Sequence, residues 1–463
     1  MRLKSSTRIA HLIAAAGLGL AATSAHAANG CANGNYSTTV SPDGNATSFL
    51  FDNLSASSQD ARRTTCRVSA KVTEGKGYSV FAVDYRGFTV KTADQSVTLS
   101  GGKKGDRALL LDPAGPYGRD FQINRRMGSG NSDHLDLSLL LTAGGLPGDV
   151  DPAEIYLDSI DVSRIGYMTE ASLQQSLDGL AEQRRAIMVR AYSATSQIFG
   201  LNEPRAGDSH LAAFTGTDGT TGIKARWDLD ENLTFLGGVA ALDAGSALAD
   251  ADTALLLAGA VRYRQPIDAA WGVFGELGGW GSPDLGATYD RSYMNGDTLV
   301  SNSMDAAGSL MGVHARMGIA YAPDAGNEFS VSARLARSMF NVASYRERAG
   351  DDNLFAARIS GRTTTSDTAD LTVAWTRRVT DTVDYTLSAT LGREFANDAA
   401  VRADIAYVGK ADGGWEARTY GSLGARLGWN FHSNWSVDTS AGVALREHDQ
   451  PDWNVGLQLK TTF

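Results

Sequence analysis

The chain has 463 residues, and 52 acidic against 42 basic side chains give it a formal charge of −10, a balance that argues against nucleic acid or anionic headgroups as bulk partners. The length allows two or three domains. Beyond the first 27 residues no segment offers the ~20 apolar residues that a membrane-spanning helix needs.

Residues 1–27 carry Arg2, Lys4 and Arg8, then an apolar stretch from Ile9 to about Ala22, then Ala25-His26-Ala27. A charged start, an apolar run and a small-x-small site predict a secretory signal peptide cut just after Ala27, through the Sec translocon. Loss of the three basic residues takes the mature charge to −13. Such a chain is either exported and soluble or inserted as a barrel. Cys31 and Cys66 are its two cysteines. In an oxidising compartment they read as a disulfide rather than a metal site, worth roughly 3–4 kcal/mol in the chain-entropy picture.

Residues 28–168 contain both cysteines and no tryptophan. Period-two alternation shows in Val68, Ala70 and Val72, in Phe81, Val83 and Tyr85, and in Leu135, Leu137, Leu139 and Leu141. Short strands separated by Gly, Asp and Ser predict a small β-sandwich, long enough for one core. The stretch Arg62-Arg63-Thr64-Thr65-Cys66-Arg67-Val68 leads on to Gly77-Tyr78-Ser79-Val80 and Val83-Asp84-Tyr85-Arg86-Gly87-Phe88. With Leu135–Ser138 and Ile155–Asp161, it resembles a family of exported proteins called domain of unknown function 4360. That resemblance spans most of residues 31–163 and implies a fold and export but no chemistry. The family's second cysteine pair is missing here.

Catalytic constellations are not legible in this domain. His134 follows Ser132 and Asp133 too closely for a nucleophile, base and acid to converge. Gly207-Asp208-Ser209-His210 looks lipase-like but falls where a barrel strand begins. Asp149, Asp151, Glu154, Asp158 and Asp161 lack the spacing of a calcium loop and read as solvated loop and strand ends. Asp84 and Arg86 read as a cross-strand pair beside a core tyrosine, Tyr85. No cofactor, metal or catalytic residue is expected, and the chain reads as a non-enzyme.

Residues 169–200 form the next unit. Thr169–Phe199 has no proline, one glycine (Gly179) and a wealth of helix formers. Leu173, Leu177, Leu180, Arg184 and Ile187 recur at helical spacing. A helix of that length would run about 45 Å, more than the hydrocarbon thickness. Its arginines, Arg184, Arg185 and Arg190, suit a polar barrel lumen; a surface helix or stalk is the alternative.

Residues 201–463 hold all 8 tryptophans and break into alternating segments joined by unequal connections. Short ones fall at Asp228–Asn232, Gln265–Asp268, Ala322–Asn327, Arg378–Thr382 and His432–Asn434, with long polar ones such as Ser282–Ala307 and Asn341–Asp367 between them. The strands they delimit lie at 207–216, 219–229, 231–243, 253–265, 269–281, 308–322, 326–341, 366–378, 383–396, 416–431, 433–446 and 451–463. Trp227, Trp271, Trp375, Trp429 and Trp435 sit near the short turns, as in an interfacial aromatic girdle. In the last segment Trp453, Val455, Leu457, Leu459 and Phe463 share one face, apolar outside and polar inside. Leu285–Tyr293 and Val401–Val408 are also β-like, so fourteen strands remain the alternative to twelve.

The fold class is thus all-β, a 12-stranded antiparallel transmembrane barrel with a lumenal helix and an N-terminal sandwich. Residues 169–463 resemble classical monomeric autotransporters. The resemblance implies insertion into outer-membrane lipid by the barrel-assembly machinery, which reads the last strand, and display of the passenger outside the cell, where it meets an unknown ligand. The helix carries no asparagine for self-cleavage, so the passenger is expected to stay attached. The expectation is a monomeric outer-membrane protein with an extracellular binding or adhesion domain. The alternatives are a porin-like channel with a periplasmic domain and a surface hydrolase.

Overall fold

The computed structural model describes residues 30–32, 35–71, 77–103, 118–132, 134–146, 149–200, 209–243, 245, 250–447 and 451–463. The signal peptide, Val72, Asp133, Gly207 and Asp208 lie outside them.

The N-terminal strands are β1 (Asn35–Val40), β2 (Ala46–Ser57), β3 (Arg63–Lys71) and β4 (Gly77–Val90). After them come β5 (Ser96–Lys103), β6 (Arg119–Gly130), β7 (His134–Gly144) and β8 (Glu154–Thr169). They form two sheets, β1-β2-β8-β4-β6 and β3-β7-β5. Alternation along each strand puts Val68, Val83, Tyr85, Leu99, Leu135, Leu137, Leu139, Leu141 and Val162 into one shared core, with Phe49 and Ile160. A disulfide joins Cys31 to Cys66, which lies on the core face of β3.

Strand β8 runs straight into helix α1 (Glu170–Phe199), 30 residues and about 45 Å long. Thr169 caps it, its hydroxyl accepting from the amide of Ser172 at 3.0 Å. Gly200 ends it in the left-handed region at φ 57°, its N–H donating to the Ser196 carbonyl.

The remaining strands begin with β9 (His210–Gly216), β10 (Thr221–Asp228), β11 (Leu233–Asp243), β12 (Asp250–Ala251), β13 (Thr253–Pro266) and β14 (Trp271–Ser282). Next are β15 (Ala287–Asn295), β16 (Thr298–Ala306), β17 (Gly308–Asp324), β18 (Asn327–Val342), β19 (Tyr345–Arg346) and β20 (Ala357–Ile359). The last are β21 (Arg362–Arg378), β22 (Val383–Glu394), β23 (Asn397–Ile405), β24 (Gly409–Trp415), β25 (Arg418–His432), β26 (Trp435–Arg446) and β27 (Asp452–Thr462).

Twelve of these close into a barrel in the order β10-β11-β13-β14-β17-β18-β21-β22-β25-β26-β27-β9. The seam is antiparallel, with Leu457 opposite Thr215 and Thr462 opposite His210. Polarity is inverted relative to a soluble sandwich. Leu255, Leu257, Met311, Val313, Leu371, Leu457 and Leu459 face outward, whereas Lys224, Arg262, Glu276, Arg316 and Asp370 are buried in the lumen. This is an outer-membrane type of barrel. Short turns at 229–232, 267–270, 325–326, 379–382 and 433–434 gather at one end, and long connections at 283–307, 343–361 and 395–417 at the other. Near the short turns, Trp271 packs at a tilt against Tyr321 at 4.5 Å, Trp375 stacks on Phe329 at 6.0 Å, and Trp227 approaches Phe463 at 6.4 Å.

Most strand boundaries differ from the sequence reading by one to four residues. Strand β21 begins at Arg362 rather than 366, because Thr363 and Thr365 extend the ladder against Asn341 and Met339. The wall has the expected twelve strands, not the alternative fourteen. The segments that could have added two are paired as β15–β16 and β23–β24, hairpins held outside the wall.

Candidate functional site in the barrel lumen

Helix α1 occupies the lumen, and its three arginines anchor different levels of it. Arg184 has no exposed surface; it donates to the Thr364 hydroxyl at 3.2 Å and the Ala400 carbonyl at 3.1 Å, and sits 5.8 Å from the Tyr289 ring. Arg185 pairs with Glu394 of the wall at 2.9 Å and with Glu182 of its own helix at 2.7 Å. Arg190 reaches the carbonyls of Asp243 and Asp218 at 2.8 and 2.5 Å. Between these levels Asp370 accepts from Tyr192 at 3.0 Å and from Arg334 at 2.8 Å, and the Arg334 guanidinium lies over the Tyr192 ring. Buried charges of this kind persist only when paired or hydrogen-bonded.

Cations meet the carbonyl end of the helix. Lys224 donates to Gln197 O at 2.9 Å and Arg262 to Phe199 O at 3.3 Å, a match to the negative end of the helix dipole. Glu276 neutralises Arg262 at 2.6 Å and binds His314 at 2.8 Å, while the His314 ring packs on Phe199. A recess of about 10 Å³, room for about one water, lies below the helix end, lined by Phe199, Gly200, His210, Lys224, Arg226 and Arg262.

At the other mouth the long connections fold inward over the helix. Gln183 exchanges two hydrogen bonds with the backbone of Asp290, at 2.6 and 3.0 Å. Ser172 accepts from Met294 N at 2.8 Å, and Asp178 from Gly414 N at 2.9 Å. A Cβ at Gly413 would stand 2.5 Å from the Leu177 backbone, so only glycine permits this approach. Leu354, Phe355, Ile359, Val401, Ile405 and Trp415 join Leu173, Leu177 and Leu180 in one cluster. Burial pushes the Tyr289 and Tyr345 phenols up, Tyr345 to about 12. These connections form a cap.

The sandwich rests on that cap. Val80 and Met168 belong to the same packed cluster as the helix and the loops. Tyr167 N donates to Asn295 Oδ1 at 2.9 Å, and Gly296 N donates to Tyr167 O at 2.7 Å. Arg126 forms an ion pair with Asp351. Gly128 lies so close to Tyr407 that a Cβ there would meet the Tyr407 Cβ at 2.8 Å.

Apart from Asp84, Arg86 and Asp161, which meet in one ion-pair group, the other residues singled out in the sequence do not converge. Ser132 accepts from the backbone N of His134, and Ser209 from that of Asp228. Asp149, Glu154 and Asp161 each accept from separate partners, Leu146, Tyr156 and Ser48. Arg86 pairs with Asp84 along β4 at 2.8 Å, since alternate residues share a face, and also across strands with Asp161 of β8 at 3.6 Å; Gln122 of β6 donates to Asp84 at 2.7 Å. Among the described residues, no group of three or more His, Cys, Asp or Glu is placed to hold a metal ion. Trp453, Val455, Leu457, Leu459 and Phe463 are exposed on the outer face of the wall or at its rim. The carboxylates that hold the helix, Glu394 and Asp370, were missed because an inward-facing acid on a barrel strand looks like any other polar position.

Residues 22–105 match the family described as Domain of unknown function (DUF4360), a region that includes β1 to β5. No curated protein matches the chain by sequence. Among solved structures, the translocator domain of the autotransporter NalP from Neisseria meningitidis aligns at 12% identity and TM-score 0.45, covering 61% of this chain and 99% of that one. The beta domain of the Bordetella autotransporter Brka aligns at 13% identity and TM-score 0.36, covering 56% and 100%. The porin NanC aligns at 9% identity and TM-score 0.30, covering 55% and 98%. These are likenesses of fold, to autotransporter translocators and porins alike.

Proposed function

We propose that this is an autotransporter-like outer-membrane protein that carries its own sandwich domain to the cell surface and holds it there as a binding module. The observation that supports this reading is the continuous path from β8 through Thr169 into a helix that fills the lumen, with the sandwich seated at the long-loop end. In barrels of this kind long loops face outward and short turns face the periplasm. Adhesion is the role in keeping with a surface domain whose described residues gather no nucleophile, base and acid. Membrane lipid is the partner of the wall, and the assembly machinery the partner of its last strand.

An epitope tag placed between Asp43 and Gly44, in an exposed turn, tests the reading by protease shaving of intact cells. Loss of the tag, with a heat-modifiable barrel fragment surviving, is expected. A tag protected until the outer membrane is permeabilised would overturn surface display and leave a periplasmic domain on a barrel.

A further inference from the structure

The outward face of the smaller sandwich sheet is basic in a chain whose net charge is −10. Along β3, Thr64, Cys66, Val68 and Ala70 are buried while Arg63, Thr65, Arg67 and Lys71 are exposed. The three cations stand four residues apart on one face, ~13 Å from one to the next. Register places Thr142, Ser138 and His134 beside them on β7, and Thr98 and Ser100 follow on β5. Some exposed arginines elsewhere are held by carboxylates, Arg86 by Asp84, Arg337 by Asp367 and Arg402 by Asp412. Arg63, Arg67 and Lys71 have none among the described residues. The acid on this face, Asp136, accepts from the Ser69 hydroxyl at 2.7 Å. A groove of about 440 Å³, open to solvent, runs past Thr65, Arg67, Ser100, Ser138 and Leu140.

We propose that this face binds a linear acidic glycan, a polymer of uronate or sulfated sugars. Carboxylates or sulfates recurring along such a chain would meet Arg63, Arg67 and Lys71, the arginines through their planar forks. The sugar hydroxyls would exchange hydrogen bonds with the rows of serine and threonine between the cations. A single-stranded nucleic acid fits less well, because the face offers no Phe, Tyr or Trp for bases to stack on. The proposal rests on the display reading and gives the displayed domain a ligand class.

The test uses the full-length protein purified in an uncharged detergent. Calorimetric titration with a heparin-derived hexasaccharide and with an oligogalacturonate should show binding that weakens as salt rises. Neutral dextran should not bind. The variant Arg63→Ser/Arg67→Ser/Lys71→Ser should weaken binding by about tenfold or more. Arg119→Ser, an exposed charge on the other sheet, should bind as the parent does. Circular dichroism and heat-modifiable migration show whether the triple variant is folded, and the three single variants replace it if it is not. The proposal is overturned if neither polyanion binds at low salt, if the folded variants bind unchanged, or if an oligothymidylate of equal charge binds as tightly as the glycans. Failure here with a cleavable surface tag would retire the glycan and leave display. Binding with a protected tag would retire display and leave the basic face.

Discussion

Arg291 and Glu347, 56 residues apart in sequence, meet through two charge-assisted hydrogen bonds of 2.6 and 2.8 Å with neither side chain exposed to solvent. Arg291 also donates to Phe355 O at 2.6 Å and to Ser176 of the helix at 3.3 Å, and Glu347 accepts from Ala357 N at 2.8 Å. One ion pair therefore ties two long connections to each other and to the helix beneath them.

Breaking this pair on one side should open the cap. Glu347→Ala leaves a guanidinium buried without its counter-charge, a loss of about 3–5 kcal/mol. Hydrogen exchange and limited proteolysis should then report loosening of 283–307 and 343–361, while the wall keeps its heat-modifiable migration. Arg291→Met/Glu347→Leu, which removes both charges, should recover most of the protection. Unchanged exchange in Glu347→Ala would mean the cap does not depend on the pair.

The lumen should not conduct. In planar bilayers the intact protein is expected to show little current, since the helix and cap fill the path. Removal of residues 28–199 should give stable openings. Large openings in the intact protein would favour the porin-like reading.

Seating of the sandwich depends on Gly128. Gly128→Val brings side-chain atoms against Tyr407, whose Cβ and carbonyl oxygen lie 2.8 and 3.1 Å from the Cβ position. The backbone there cannot yield as a flexible side-chain tip would. Spin labels on the sandwich and on a wall strand should then report a broadened distance distribution, with the sandwich still folded. A distribution as narrow as the parent's would show that this contact does not set the domain's position.

Phe463 should matter more for assembly than for the finished barrel. Its N–H donates to Ser209 O at 3.2 Å and its ring lies near Trp227, modest contacts at the rim. Deleting it should sharply lower the folded barrel recovered from cells, with little effect on the melting of protein refolded in detergent. Equal recovery from cells would count against recognition of the last strand during insertion.

The wall was readable because period-two alternation with polar residues inward is a demand of the membrane itself. Trp453 to Leu459 show it without reference to any other strand. The helix was readable for a similar reason, since composition and spacing are local. What covers a segment is not local. Leu285–Tyr293 declared its two faces but not its neighbours, and both a wall hairpin and a loop hairpin satisfy the same alternation. The carboxylate that holds Arg185 is 209 residues away, and no spacing rule links Arg185 to Glu394. Positions such as Gly413 and Gly128 carry their meaning only once two distant pieces of backbone are brought together.

The direct passage of β8 into α1 has a mechanical consequence. A ligand tugging on the sandwich would apply its force along the axis of the barrel, with no slack to take up. Arg184, Arg185, Arg190 and the cap bonds would then be loaded together in shear rather than peeled one at a time. A domain mounted this way would hold a fixed bearing to the cell surface under flow, and many copies would present their ligand faces in a common orientation.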